Sequence, residues 1–326
     1  LDDDGWLAES GRRRVAGGAA EAERLLRSWL AVRGEGYGAA ADDPVAAPLV
    51  GSRLGAHLAF GAIAPAAVHA ALHAAGQARA RRRTAPTGDG ADAADEAWRT
   101  ALTAIGAALA SRGTARQRFA ARPDLEPGGG DWHAGHDDLD DAARDRLAAW
   151  ADGATGRPLV DAALRQLRAI GWLPFRLRAV ATSYAIHDLG LPWPVVGQAL
   201  ARRCLDYDPA ILWPAVRRIA GALDDDGPRI YNPDRQAQAL DPHGHYVRAW
   251  LPALAAVPDS FVQCPWRMPE SMQAAVGRRV GHELPPLLAP ARAGRDESAA
   301  RPAAPDDAAP RQLRLGDDGG AGDGGA

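Results

Sequence analysis

Lysine is missing from this chain: all 38 basic residues among its 326 are arginine. That absence excludes chemistry resting on a lysine nucleophile, a Schiff base or a Walker lysine. With alanine dominant, it reads as the coding bias of a GC-rich genome. Cysteine is nearly as scarce. Cys204 and Cys264 cannot build a disulfide framework, a zinc-finger set or a four-thiolate iron–sulfur site. Two isolated thiols fit a reducing compartment, so a cytoplasmic location is expected. There is no run of about 18 apolar residues to span a bilayer, and no secretory signal opens the chain. The formal net charge of −3 gives no global field toward nucleic acid or anionic lipid. The first residue is Leu1 rather than Met, which fits either a fragment or a processed product.

What is present is globular in kind, with 47% apolar and 24% charged residues. Alanine, leucine and arginine recur at three-to-four spacing, and alternating β-branched runs are nearly absent. Helices are predicted over 18–31, 63–82, 93–111, 139–151, 158–171, 174–189, 194–204 and 210–222. Pro65, Pro158, Pro174, Pro194 and Pro209 stand near the helix starts, where a missing N–H costs little. The body is therefore read as all-α. Residues 83–92 and 122–137 are turn-rich connections. Residues 1–286 form the folded unit, and 287–326, rich in Ala, Pro, Gly and Asp, form a disordered tail.

Most short motifs reduce to ordinary readings. Gly34-Glu35-Gly36-Tyr37-Gly38 follows a helix rather than a strand and is no dinucleotide fingerprint. His133 with His136, and His243 with His245, lack further ligands, so no metal is expected. Arg12–Arg14 and Arg81–Arg83 are solvated basic faces, and Asp224–Asp226 is a loop. Ten tryptophans against four phenylalanines and five tyrosines are less ordinary, and fit either core filling or a redox site.

Residues 147–208 carry the information. In order they hold Trp150, Gly153, Thr155, Gly156, Pro158, Val160, Asp161, Ala162, Arg165, Gln166, Leu167, Gly171, Trp172, Arg176 and Arg178. This run resembles the diagnostic stretch of the DNA photolyase/cryptochrome family. Residues 51–65 (GSRLGAHLAFGAIAP) are similar to its phosphate-side segment, and 229–254 to its closing R-x-F-N-P … W-x-P-x-L segment. The resemblance spans about residues 5–268, without the family's N-terminal α/β antenna domain. It implies a multi-helical FAD-binding bundle.

Several residues suit a flavin. Gly51, Ser52 and Gly55 at a helix start leave N–H groups for a pyrophosphate, beside Arg53 and Leu54. Asp206 and Asp208, flanking Tyr207, offer acceptors to ribose hydroxyls and a ring N–H. Arg178 is expected to pair with Asp206, because a buried carboxylate needs a partner. By resemblance, Tyr37 and Trp98 also line the FAD cavity.

Elsewhere the family's chemistry is replaced. The repair-pocket motif W-x-x-E-x-x-W-R-E-F falls on Trp98–Ala107, putting Ala101 for the glutamate and Ala104 for the tryptophan. Phe175 replaces a polar substrate contact, Leu212 an asparagine facing the flavin, and Arg217 a DNA-side tryptophan. No catalytic residue of the family is retained, and Arg176 is left as a DNA contact. Of the family's three-tryptophan relay, Trp193 matches the middle member, while Ala215 and Asp140 stand at its ends. The expected function is a divergent, non-repair light or redox flavoprotein with a protein partner. A light-driven photolyase (a carbon–carbon lyase) acting on pyrimidine dimers in DNA is the alternative, and a helical scaffold without flavin the last.

Overall fold

The computed structural model describes residues 15–82, 89–126, 135, 138–223 and 227–289. His133, His136, Trp132, Arg12–Arg14, Asp224–Asp226 and the expected tail from 290 onward lie outside the described residues.

The principal helices are α1 (Ala19–Ala31), α2 (Pro65–Arg82), α3 (Asp89–Ala121), α4 (Asp141–Asp152), α5 (Pro158–Ile170), α6 (Phe175–Ser183), α7 (Trp193–Ala201), α8 (Pro209–Ala220), α9 (Pro233–Leu240), α10 (His245–Trp250) and α11 (Glu270–Val276). Among the described residues the β-structure is one isolated bridge, Val280 to Leu284. The all-α expectation holds. Pro158 and Pro209 occupy the first position of their helices. Pro174 sits one residue outside α6, as its cap.

The boundaries differ in three places, each for a local reason. Helix α3 starts at Asp89, inside the expected loop, and runs ten residues past the predicted end to Ala121. Residues 111–121 carry no proline to stop it, and Pro123 then does. Helix α6 ends at Ser183, and its continuation Tyr184–Asp188 is a π-helical turn. Packing also continues past 286: Leu288 donates its N–H to the Thr155 carbonyl, and Ala289 is buried.

Two hydrophobic clusters form the interior. The larger runs from Leu139 to Ala289 and surrounds α5, all but three of whose 13 residues are buried. The smaller gathers Ala22, Leu25, Leu26, Trp29, Leu54, Ile63, Val68, Leu72, Ala101 and Ile105. Helix α3 contributes the last two, and at its other end reaches α8.

The diagnostic stretch is first of all a folding device. Asp161 on α5 accepts hydrogen bonds from the Thr155 N–H (2.8 Å), the Thr155 hydroxyl (2.6 Å) and the Gly156 N–H (2.9 Å). These bonds fix the turn that joins α4 to α5. Gly153 closes α4 with φ 66°, and a Cβ there would lie 2.5 Å from the Asp161 carbonyl oxygen. Burial pushes the Asp161 carboxyl up to about 6, against the pull of its three hydrogen bonds.

Candidate functional site

Residues 206–208 turn the chain from Gly171 and α7 into α8. Asp208 is the N-cap of α8, its carboxylate accepting from the Ala210 N–H at 3.1 Å. The side chain is 2% exposed, so its charge needs partners. They come from α3: Arg112 at 2.7 Å and Arg116 at 2.9 Å, both on Oδ2. The four-residue spacing puts both guanidiniums on one helix face.

Asp206 meets Arg178 of α6, whose Nη2 lies 3.0 Å from each carboxylate oxygen. The pairing expected from the sequence is present. Burial alone would pull the Arg178 guanidinium down, but the Asp206 charge and hydrogen bond push it further up. Gly55 lies against the same carboxylate: a Cβ there would stand 3.1 Å from the Asp206 Cβ. The phosphate-side segment and the acid pair, about 150 residues apart in sequence, are thus neighbours.

That segment is held by its carbonyls. Trp29 donates its indole N–H to the Val50 carbonyl at 2.8 Å, and the buried Arg33 donates to the Gly51 carbonyl. Arg53 has φ 60°, the one positive-φ residue other than glycine among those described. For a side-chain-bearing residue this costs on the order of 1–2 kcal/mol. Its Nε donates to the Pro48 carbonyl at 2.8 Å. Ser52 Oγ accepts from the Leu54 N–H at 3.4 Å, while the Leu54 side chain belongs to the smaller core.

The remaining expected residues are distributed more widely. Tyr37 and Trp98 both pack edge-on to Trp29 with ring centroids 6.0 Å away, and Arg79 stacks 3.8 Å over Trp98. Tyr207 accepts from the Trp213 indole at 3.3 Å. Trp193 begins α7 half-buried, with the Arg217 guanidinium 5.3 Å over its ring. Arg176 lies 5.7 Å from the Tyr231 ring and within electrostatic reach of Asp42. Phe175 is 68% exposed, and Leu212 is buried in the larger core.

One placement corrects the sequence reading. Ala101, matched there to the repair-pocket glutamate, is wholly buried in the smaller core. It lies eleven residues, about 16 Å of helix, before Arg112. The stretch of α3 that meets Asp208 is therefore 112–116, and Ala101 packs in the smaller core instead. Arg33, Arg112 and Arg116 are the site-forming residues that sequence reasoning missed. The Arg112/Arg116 spacing was visible, but only a helix prolonged to 121 gives it a shared face.

Among the described residues there is no group of three or more histidine, cysteine or acidic side chains able to hold a metal. His243 and His245 tilt together at 5.9 Å, with exposed Asp259 3.8 Å from His243. No helix of the described residues is long and apolar enough to cross a membrane.

This arrangement defines a helical, FAD-binding domain. The profile of the FAD binding domain of DNA photolyase matches residues 105–303. The chain belongs to the photolyase/cryptochrome family through that domain. It is 40% identical to Cryptochrome-1 of Arabidopsis thaliana over 159 residues, 47% of this chain and 22% of that protein. It is 35% identical to a deoxyribodipyrimidine photo-lyase of Alkalihalophilus pseudofirmus over 144 residues, 44% of this chain and 30% of that one. A bacterial class III photolyase from Agrobacterium tumefaciens superposes with a TM-score of 0.69 at 25% identity, covering 89% of this chain and 56% of that one. The Synechocystis cryptochrome gives 0.67 at 23% identity, covering 85% of this chain and 55% of that one. The matches thus take in less than a third of these curated relatives and about half of the solved structures.

FAD is the cofactor of this domain, and the residues present fit it. Arg112 Nε and Arg178 Nε are buried without a hydrogen-bond partner in the protein. Such donors suit an anionic, carbonyl-rich ligand. Gly55 leaves room beside Asp206 that a Cβ would fill.

Proposed function

We propose that the chain is the FAD-holding part of a light- or redox-responsive flavoprotein that does not repair DNA. Ser52, Arg53 and the backbone of Gly51, Leu54 and Gly55 take the pyrophosphate. Asp206, Asp208 and Tyr207 face the ribose and ring, with Arg178 neutralising Asp206, and Tyr37 and Trp98 bound the cavity from the smaller core. Its folding unit, expected over residues 1–286, extends to Ala289, and a protein partner reads its state. FAD supplies light absorption and electron transfer when bound; the protein supplies orientation and charge. The observation that carries this is the joining of Gly55, Asp206–Arg178 and Asp208–Arg112–Arg116 into one charged cluster. Against repair stand the exposed Phe175, which offers no hydrogen bond to a flipped base, and the apolar Leu212, which offers none to the flavin.

A photolyase acting on pyrimidine dimers is the second reading. It gains from the position of Ala101 in the core, since its substitution no longer removes a group from the site. The absorption spectrum of purified protein tests flavin binding. Blue-light illumination of the chemically reduced protein with thymine-dimer DNA then separates the readings: splitting of dimers overturns the first, and intact dimers overturn the second.

A further inference from the structure

We infer that Arg112 and Arg116 set the charge of the flavin site, so that the domain binds reduced FAD more tightly than oxidised FAD. This rests on the flavin site proposed above. Asp206 and Arg178 balance one to one. Asp208 faces two guanidiniums, Arg112 and Arg116, on one oxygen. The five groups therefore sum to +1, in a place where Asp208 is 2% and Arg112 10% exposed.

A surplus cation costs free energy in a dry site unless an anion meets it. Helix capping does not remove the surplus, because Asp208 accepts a neutral N–H from Ala210. Arg112 keeps a buried Nε with no protein partner, so its charge has a second direction in which to act. It lies within electrostatic reach of Asp206 as well as Asp208. Two-electron reduction of a flavin adds negative charge to the ring system. A fixed positive surplus beside it favours the reduced form, and low local dielectric magnifies the effect. Arg112 and Arg116 are then charge-setting residues, acting with Asp208 between them and the chain's α8.

The test measures the midpoint potential of bound FAD, with dithionite as reductant and an indicator dye in equilibrium. Arg112→Gln is expected to lower the preference for reduced over oxidised FAD about tenfold, about 30 mV for a two-electron couple. Arg112→Lys should restore most of the shift, because it returns the charge. Arg116→Gln should shift in the same direction by less, since Arg116 is 51% exposed and solvent screens it. Equal weakening of both redox forms by Arg112→Gln, with the potential unchanged, would reduce the pair to a packing clamp and overturn the inference. If Arg112→Gln does not hold FAD, the comparison of Arg116→Gln and Arg112→Lys with the parent decides. An unshifted Arg116→Gln, or an Arg112→Lys shifted like a neutral residue, overturns it. Parent protein that takes up no FAD would instead overturn the flavin site itself, and shows this before any variant is made.

Discussion

The two hydrophobic cores differ in how they are specified. The larger is locked by buried polar contacts at fixed spacing: Trp150 donates to the Ala181 carbonyl at 3.0 Å, Tyr246 to Gln166 at 2.6 Å, and Asp161 holds its turn. The smaller is built of alanine-rich helices around Trp29, with the Trp98 indole edge-on to it, and α2 in it alternates small residues with little preference for a face. The site lies between them. The larger core brings Asp206, Asp208 and Arg178, the smaller brings residues 51–55, and α3 serves both. Loss of either core should cost the site, but by different routes.

Trp150→Ala tests this most severely. Removing a fully buried indole costs about 4 kcal/mol, and the Ala181 carbonyl loses its donor. Trp29→Ala should cost about 3 kcal/mol and release the Val50 carbonyl, loosening residues 50–55 before the larger core yields. Urea unfolding with hydrogen exchange reads both. Identical exchange patterns in the two variants would show that the cores are one cooperative unit.

The next effect belongs to the larger core alone. Asp161 titrates near 3.8 when unfolded and at about 6 when folded, because burial opposes its charge. The folded state thus holds the proton more tightly. Its contribution is fully present below about pH 4 and is lost as pH rises through about 6, by about 3 kcal/mol in all. Denaturant unfolding between pH 4 and 7 should show wild-type stability falling relative to Asp161→Asn. A flat difference would mean that the three hydrogen bonds hold Asp161 ionised throughout.

The same contrast explains what the sequence disclosed. The starts of α5 and α8 rest on Pro158 and Pro209, single residues whose effect is local, so they were readable. The Asp206–Arg178 pair was readable because a buried carboxylate demands a cation. The clamp on Asp208 was not, since it joins residues 92 apart through a helix whose end was misplaced. The placement of Ala101 was not readable either: α3 is amphipathic over 33 residues only weakly, and its middle packs in the smaller core while 112–116 meet Asp208. Helices α9, α10 and α11 are short and set by packing, and periodicity does not reveal elements of eight residues or fewer.

Within the site, Asp206→Ala should lower FAD retention at least tenfold. It leaves the Arg178 guanidinium buried without its carboxylate beside the phosphate-side segment. Dialysis followed by the flavin absorbance ratio measures it. Asp206→Asn should recover part of the loss, because it keeps the acceptor and the packing against Gly55. Full retention in the alanine variant would place FAD away from this carboxylate.

The smallest expected effect is at Trp193, the one relay position matched by resemblance. Donating an electron would leave a positive charge on its ring, and the Arg217 guanidinium already stands 5.3 Å over that ring. At an effective dielectric of about 20, two such charges repel by about 3 kcal/mol, less as solvent screens them. Arg217 is fixed there by a 2.9 Å hydrogen bond to the Asp124 carbonyl, so it cannot swing clear without losing that partner. The neighbouring relay positions hold Ala215 and Asp140, which pass no hole onward. Trp193 is therefore a poor donor with poor neighbours, and Trp193→Phe should change the photoreduction rate of bound oxidised FAD less than about twofold. Arg217→Gln should raise that rate, and only when Trp193 is present. Transient absorption reads both: abolition of rapid photoreduction by Trp193→Phe would show that the indole conducts despite the cation over it.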